Sequence, residues 1–182
     1  DGIHFIGYIN VGVVPKLKGQ SSSVFDLLPY KNILLSKGFN AITFNRQNLV
    51  MKEVSAFTKA FRKLRRTIFH LPNVFQYRNV IKSLVGIEDT DEDNYPIVIP
   101  NWDHTPRSNY GGIVWKGSTP NLYKNYLDVV LHEIVDKQSE HQIIFLKSWN
   151  EWGEGNYIEP DLRWGRQYLE ATKEALDSFM NI

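Results

Sequence analysis

Ile143-Ile144-Phe145-Leu146-Lys147-Ser148-Trp149-Asn150-Glu151-Trp152-Gly153-Glu154-Gly155-Asn156-Tyr157-Ile158-Glu159-Pro160 is the stretch on which the reading of this chain turns. Its opening is an apolar run that predicts a buried strand. The run then breaks into a segment with two tryptophans, two glycines and three carboxylates. Glu151 and Glu154 stand three residues apart. On an extended strand that spacing sends them to opposite faces. In one helical or tight turn it brings them to the same side, with Cβ atoms about 5–6 Å apart. Gly153 and Gly155 make such a turn sterically easy. Two carboxylates at that range beside flat aromatic side chains suit glycosidic-bond chemistry. One serves as acid/base and one as its partner, about 5–5.5 Å apart in retaining enzymes. The plainer alternative is a loop in which the glutamates only cap or salt-bridge.

Outward from this stretch the chain alternates strands and helices. Apolar runs predict strands over 3–9, 39–45, 95–100 and 142–149. A helix is expected over 24–37, with Pro29 near its regular start and Gly38 at its C-terminal end. A second spans 53–68, with Val54, Phe57, Phe61, Leu64 and Ile68 on one face. Its Arg62, Lys63, Arg65 and Arg66 read as a solvated basic face. Thr119-Pro120 is an N-cap followed by proline at the first helical position. The helix after it carries Leu122, Tyr126, Leu127, Val130, Leu131 and Ile134 on one stripe. The last helix, 165–180, is expected to bury Tyr168, Leu169, Thr172, Leu176 and Phe179. The stretch 71–94 reads as irregular. Residues 1–182 therefore form one α/β domain of four βα units on a parallel sheet. In such folds the chemistry lies beyond the C-terminal ends of the strands. The polar clusters do follow strands: Asn10, Asn45, 101–107 and 150–154.

Composition narrows the function. With 42% hydrophobic and 23% charged residues, the chain has the make-up of a water-soluble globular domain. A net charge of +1 gives no reason to expect nucleic acid or an anionic membrane as partner. No stretch reaches the ~20 apolar residues of a membrane span. The absence of cysteine excludes disulfides and fits a reducing compartment, so a cytoplasmic location is expected. Asp1 leads almost directly into a strand, so the chain is expected to be a piece of a longer protein.

Two other patterns carry less. Glu88-Asp89-Thr90-Asp91-Glu92-Asp93 holds overlapping Asp-x-Asp pairs, a pattern that hard oxygen ligands use for Mg²⁺ or Mn²⁺. Within a run of acids it reads as a solvated loop. His132-Glu133-Ile134-Val135-Asp136 is half of a zinc motif without a third ligand. No metal site is expected. Asp103 and His104 have two readings, one as hydroxyl-binding groups and one as caps of the next turn.

Several motifs in order resemble one family. They are Asn101-Trp102-Asp103-His104-Thr105-Pro106-Arg107, Lys116-Gly117-Ser118-Thr119-Pro120, the stretch from Ser148 to Asp161, and Tyr168-Leu169-Glu170-Ala171. Together they resemble the WbsX-like polysaccharide-biosynthesis family, related to glycoside hydrolase family 99, the endo-α-mannosidases. The resemblance covers about residues 95–176 well and the first half loosely. It implies a (β/α)₈ barrel of the TIM type, of which this chain is the C-terminal half. It also implies glycosyl transfer or hydrolysis in surface-polysaccharide or O-antigen metabolism, with Glu151 as base on a sugar 2-hydroxyl and Glu154 as acid/base. Gly153 and Asn156 stand where the hydrolases carry bulkier or hydroxylated residues. Asn150, Trp152, Tyr157, Trp102, Asp103, His104 and Arg107 would hold an oligosaccharide or polysaccharide. No cofactor is required. The rivals are a glycan-binding module without turnover and a self-contained doubly wound domain with an unrelated ligand. Four strands cannot close a barrel, so strands 3–9 and 142–149 need a cover. The candidates are the N-terminal half of the barrel, a second copy, or the chain's own segment 71–94.

Overall fold

The computed structural model describes residues 3–11, 27–49 and 56–181. In chain order the strands are β1 Ile6–Asn10, β2 Ala41–Asn45, β3 Asn73–Gln76, β4 Ile97–Val98, β5 Trp102–Asp103, β6 Ile113–Lys116, β7 Phe145–Leu146, β8 Asn150–Glu151 and β9 Asn156–Tyr157. The longer helices are α1 Leu28–Ser36, α2 Ala56–Phe69, α3 Pro120–Ile134 and α4 Gln167–Met180. Gly12, residues 24–26, Glu53 and Val54 lie outside the described residues.

The four expected strands are present and parallel, though shorter than their apolar runs. β1 pairs with β2 over five residues, Ile6 opposite Ala41 and Asn10 opposite Asn45. The Ile42 N–H donates to the Asp93 carbonyl at 2.7 Å, and the Tyr95 N–H donates to the Ile42 carbonyl at 2.8 Å. Those bonds lead β2 onto the entry to β4, which pairs in parallel with β7. Chain order and sheet order therefore coincide: β1, β2, β4, β7. Among the described residues no strand pairs with the outer edge of β1 or of β7, and the sheet is open. The segment 71–94 does not cover either edge. It contributes β3, which the irregular composition hides, to a second sheet ordered β3-β6-β5.

Two apolar clusters hold these layers. Val98, Ile99, Tyr123, Leu127, Val130, Ile134, Ala171 and Ala175 belong to one, between β4 and the α3–α4 pair. Ile9, Val11, Ile42, Phe44, Leu27 and Tyr30 form the other, under α1. The Thr119 hydroxyl accepts the Leu122 N–H at 3.2 Å with Pro120 behind it, so the expected cap starts α3. Gly38, at φ +92°, ends α1 in a conformation that side chains resist.

Three expectations need correction. α4 buries Tyr168, Ala171 and Ala175 in place of a face through Leu176, because alanines let it lie close against α3. α2 presents Phe57, Phe61, Leu64 and Ile68 outward, between 50% and 82% exposed, and instead seats Arg62 over the Phe75 ring at 4.1 Å. The acidic run is not a solvated loop. Asp89, 1% exposed, faces the buried Arg46 with both oxygens at 3.0 Å and also accepts from Asn94 and the Gly86 N–H. Glu88 also bonds Arg46, and Asp91 and Asp93 both pair with Lys31. A buried guanidinium is stable only when it is partnered, and Glu88 and Asp89 supply that to Arg46.

Candidate active site

Two loops leave the C-terminal ends of neighbouring parallel strands and lock together. The first follows β4 and runs through Asn101 to Arg107. The second follows β7 and folds into the hairpin β8–β9, where Asn150 faces Tyr157 and Glu151 faces Asn156. Asn101 ties the two by mimicking a strand. Its Nδ2 donates to the Tyr157 carbonyl at 3.0 Å and its Oδ1 accepts the Tyr157 N–H at 2.9 Å. Asn156 is fully buried and accepts the Ser148 N–H at 3.0 Å, fastening the hairpin to its own stem. Gly155 sits at φ +52°, and a Cβ there would lie 2.8 Å from the Asp103 Cβ. The loops meet too closely for a side chain at that point.

The hairpin tip, Trp152–Glu154, is one turn of 3₁₀-helix, so of the two geometries open to the Glu-x-x-Glu spacing the turn is the one that forms. Glu151 and Glu154 converge on one guanidinium. Arg107 donates through Nη2 to Glu151 Oε1 at 2.7 Å and through Nη1 to Glu154 Oε1 at 3.2 Å. Gly153 does not have the positive φ that a turn glycine needs. It leaves room instead, since a Cβ there would lie 3.1 Å from Arg107 Nε and 3.2 Å from Glu151 Oε1. His104 Nε2 stands 3.6 Å from Glu154 Oε1, while His104 Nδ1 shares a 2.9 Å hydrogen bond with the Ser108 hydroxyl. The imidazole lies nearly parallel to the Trp102 ring, 13° apart with centroids at 6.1 Å. Asp103 caps the turn after it, its Oδ1 accepting from the Thr105 N–H at 2.9 Å and the Thr105 hydroxyl at 2.6 Å.

Lys147, at the end of β7, carries its ammonium 5.0 Å from the Trp102 ring centre and donates to Gln47 at 3.2 Å. Burial pushes this ammonium below its ordinary range, against the pull of Glu154 and Glu151. Sequence reasoning passed over it as the end of an apolar strand.

On the outer side of the hairpin, Trp152 stacks on Tyr157 at 3.7 Å and 15°. Its indole N–H donates to Glu159 at 2.6 Å, and the Tyr157 hydroxyl donates to Asp161 at 3.1 Å. Burial first, and then that bond to Asp161, push the Tyr157 hydroxyl up to about 12. A cavity of about 350 Å³ opens beside the pair, with Trp102, Asp103 and Tyr157 among its lining residues. Asp161, Arg163, Trp164 and Tyr168 also line it, and of these Asp161 and Tyr168 stand in the motifs quoted from the sequence, whereas Arg163 and Trp164 carried no signal. The nine residues singled out thus divide. Glu151, Glu154, His104 and Arg107 form the charged cluster, Trp102, Asp103 and Tyr157 line the cavity, and Asn150 and the half-exposed Trp152 stand at the hairpin. Among the described residues no group of three or more His, Asp and Glu is placed to hold a metal ion.

Residues 3–172 match the model of a family described as "Glycosyltransferase WbsX". The chain belongs to that family. Two similar proteins are named "Uncharacterized protein WxcX" and come from Xanthomonas campestris pv. campestris. The strain B100 protein is 35% identical over 105 residues, and the strain ATCC 33913 protein is 34% identical over 105 residues. Each alignment covers 57% of this chain and 15% of the relative, so the aligned part is a small share of those proteins. A solved structure titled "Glycoside hydrolase-like protein" matches with a TM-score of 0.52 at 14% identity, over 96% of this chain and 44% of that one. The chain therefore shares its α/β fold with that solved structure and belongs to a family described as a glycosyltransferase. Among the described residues no helix is long and apolar enough to cross a membrane.

Proposed function

We propose that this chain carries the carboxylate face of an enzyme that makes or breaks glycosidic bonds, with Glu154 as acid/base and Glu151 as its partner. One observation carries the reading: a single guanidinium bonds both glutamates, which puts the two carboxylates on one side of a loop beyond the parallel strands. In this reading His104 stands beside Glu154, its Nε2 3.6 Å from the carboxylate. The Trp152–Tyr157 stack offers a sugar ring an apolar face, and Trp102, Asp103 and Asn150 border the same loops. Arg107 holds the pair before substrate arrives and orients Glu151 against the sugar 2-hydroxyl. The family name supports transfer, and the hydrolase-like fold supports hydrolysis; both use the same carboxylates. The setting is surface-polysaccharide metabolism.

The sheet order β1-β2-β4-β7, its two edges left unpaired among the described residues and the neighbour of more than twice this length support a half-barrel. The other half of the barrel, or a second copy, would cover the edges.

The test is Glu154→Gln in the complete protein. The isostere keeps shape and most binding contacts, so turnover of an activated glycoside should fall at least 100-fold with sugar affinity nearly unchanged. Turnover that survives Glu154→Gln removes Glu154 from the chemistry. A parent protein that binds glycans without turning any over makes the chain a glycan-binding module instead.

A further inference from the structure

The cavity beside the carboxylate pair has a composition that the glycosidic chemistry does not require. Its wall is aromatic, with Trp102, Trp115, Tyr157, Trp164 and Tyr168, and two cations join it, Lys116 and Arg163. The carboxylates in the wall are already occupied. Asp161 accepts from the Tyr157 hydroxyl and from the N–H groups of Arg163 and Trp164. Asp103 accepts twice from Thr105. The cations are not. Among the described residues neither Lys116 nor Arg163 has a carboxylate partner, and the Arg163 guanidinium lies 5.0 Å from the Trp164 ring centre.

We infer that this cavity is a subsite for a sugar residue bearing an anionic substituent, its ring on the aromatic wall and its anion held by Lys116 and Arg163. Charge alone would suit any anion, but the wall of flat rings suits a pyranose with an apolar face. The volume of about 350 Å³ is at the small end of ligand sites, which run roughly 300–1,000 Å³ and suit a short saccharide here. The subsite shares both loops with the carboxylate pair: Asp103 lines it while its neighbour His104 faces Glu154, and Gly155 lines it directly after Glu154. A residue bound here therefore rests on the same two loops that carry Glu151 and Glu154. This deepens the proposed function and rests on it. The substituent is the carboxylate of a uronic acid in a polymer or the phosphate of a sugar phosphate; the site chemistry is common to both.

The experiment is binding to the complete protein, read by intrinsic tryptophan fluorescence. The probes are a uronate oligosaccharide, the same oligosaccharide with its carboxyl groups reduced to alcohols, and glucose 1-phosphate beside glucose. The acidic member of a pair should bind about tenfold or more tightly, a preference that shrinks as salt is raised. Lys116→Gln with Arg163→Gln should abolish that preference while leaving the neutral oligosaccharide bound as before. Retained neutral binding also shows that the variant is folded. A preference confined to the uronate assigns the anion to the polymer, and one confined to the phosphate assigns it to an activated sugar; either supports the subsite. Equal affinity for acidic and reduced oligosaccharides overturns the inference and leaves the carbohydrate reading standing. No binding of any saccharide overturns both.

Discussion

Replacing Asn101 should loosen both loops of the site at once. Its amide makes two hydrogen bonds to the backbone of one residue, Tyr157, at 2.9 and 3.0 Å, and both are partly buried. Each such bond contributes about 0.5–1.5 kcal/mol net, so Asn101→Ala is expected to cost about 1–3 kcal/mol. Asn101→Asp is the sharper probe because it keeps the shape. Its oxygen still accepts the Tyr157 N–H, but the second oxygen faces the Tyr157 carbonyl, so acceptor meets acceptor. Asp should therefore cost at least as much as Ala. Urea unfolding measures both, with a lower midpoint and an unchanged slope. Amide exchange at Tyr157 gives the local readout, since its N–H donates directly to Asn101. An Asp variant as stable as the parent, or a Tyr157 amide still protected in the Ala variant, would show that the loops are held by something else.

The tyrosines set the alkaline limit. Tyr123 and Tyr157 are both pushed up to about 12, burial being the largest cause in each. A group that holds its proton more tightly folded than unfolded adds stability below its unfolded value, about 10 for tyrosine, and loses it as the pH rises through the folded value. Stability should thus fall between about pH 10 and 12, with these tyrosines resisting ionisation by ultraviolet absorbance. Titration of every tyrosine near pH 10 in an intact fold contradicts this. The open edges of β1 and β7 and the outward apolar face of α2 give a third expectation. Residues 1–182 produced alone should sediment as a dimer or larger. A concentration-independent monomer rules out the half-barrel reading.

The four parallel strands and the start of α3 were legible because each is signalled locally, by an apolar run or by Thr119-Pro120. β3 and β6 were not. Each is four residues long, and Asn73-Val74-Phe75-Gln76 has meaning only against Ile113-Val114-Trp115-Lys116, forty residues on. The acidic run misled for the same reason: the partner that buries Asp89 is Arg46, 43 positions earlier. The outward face of α2 shows the converse, a clear helical stripe whose direction depends on packing the stripe does not encode. In the site, Glu151 and Glu154 announce themselves by spacing. Arg107 was visible only as a residue of the first loop, since its bonds to the pair span 44 and 47 residues.

β4 has one consequence for redesign. Its ladder is two residues long, but side-chain hydroxyls fasten the carbonyls along and just beyond it. Tyr126 donates to Ile97, Tyr77 to Ile99 and Ser118 to Pro100. A regular ladder that slips by two residues recovers equivalent pairs. Three pins at fixed positions recover nothing, so this strand has one allowed setting and the loop after it has one point of departure. Diversifying what the cleft accepts therefore falls to residues beyond Pro100, and a tyrosine-to-phenylalanine change at 77 or 126, harmless by size, would unpin the mount on which that variation is built.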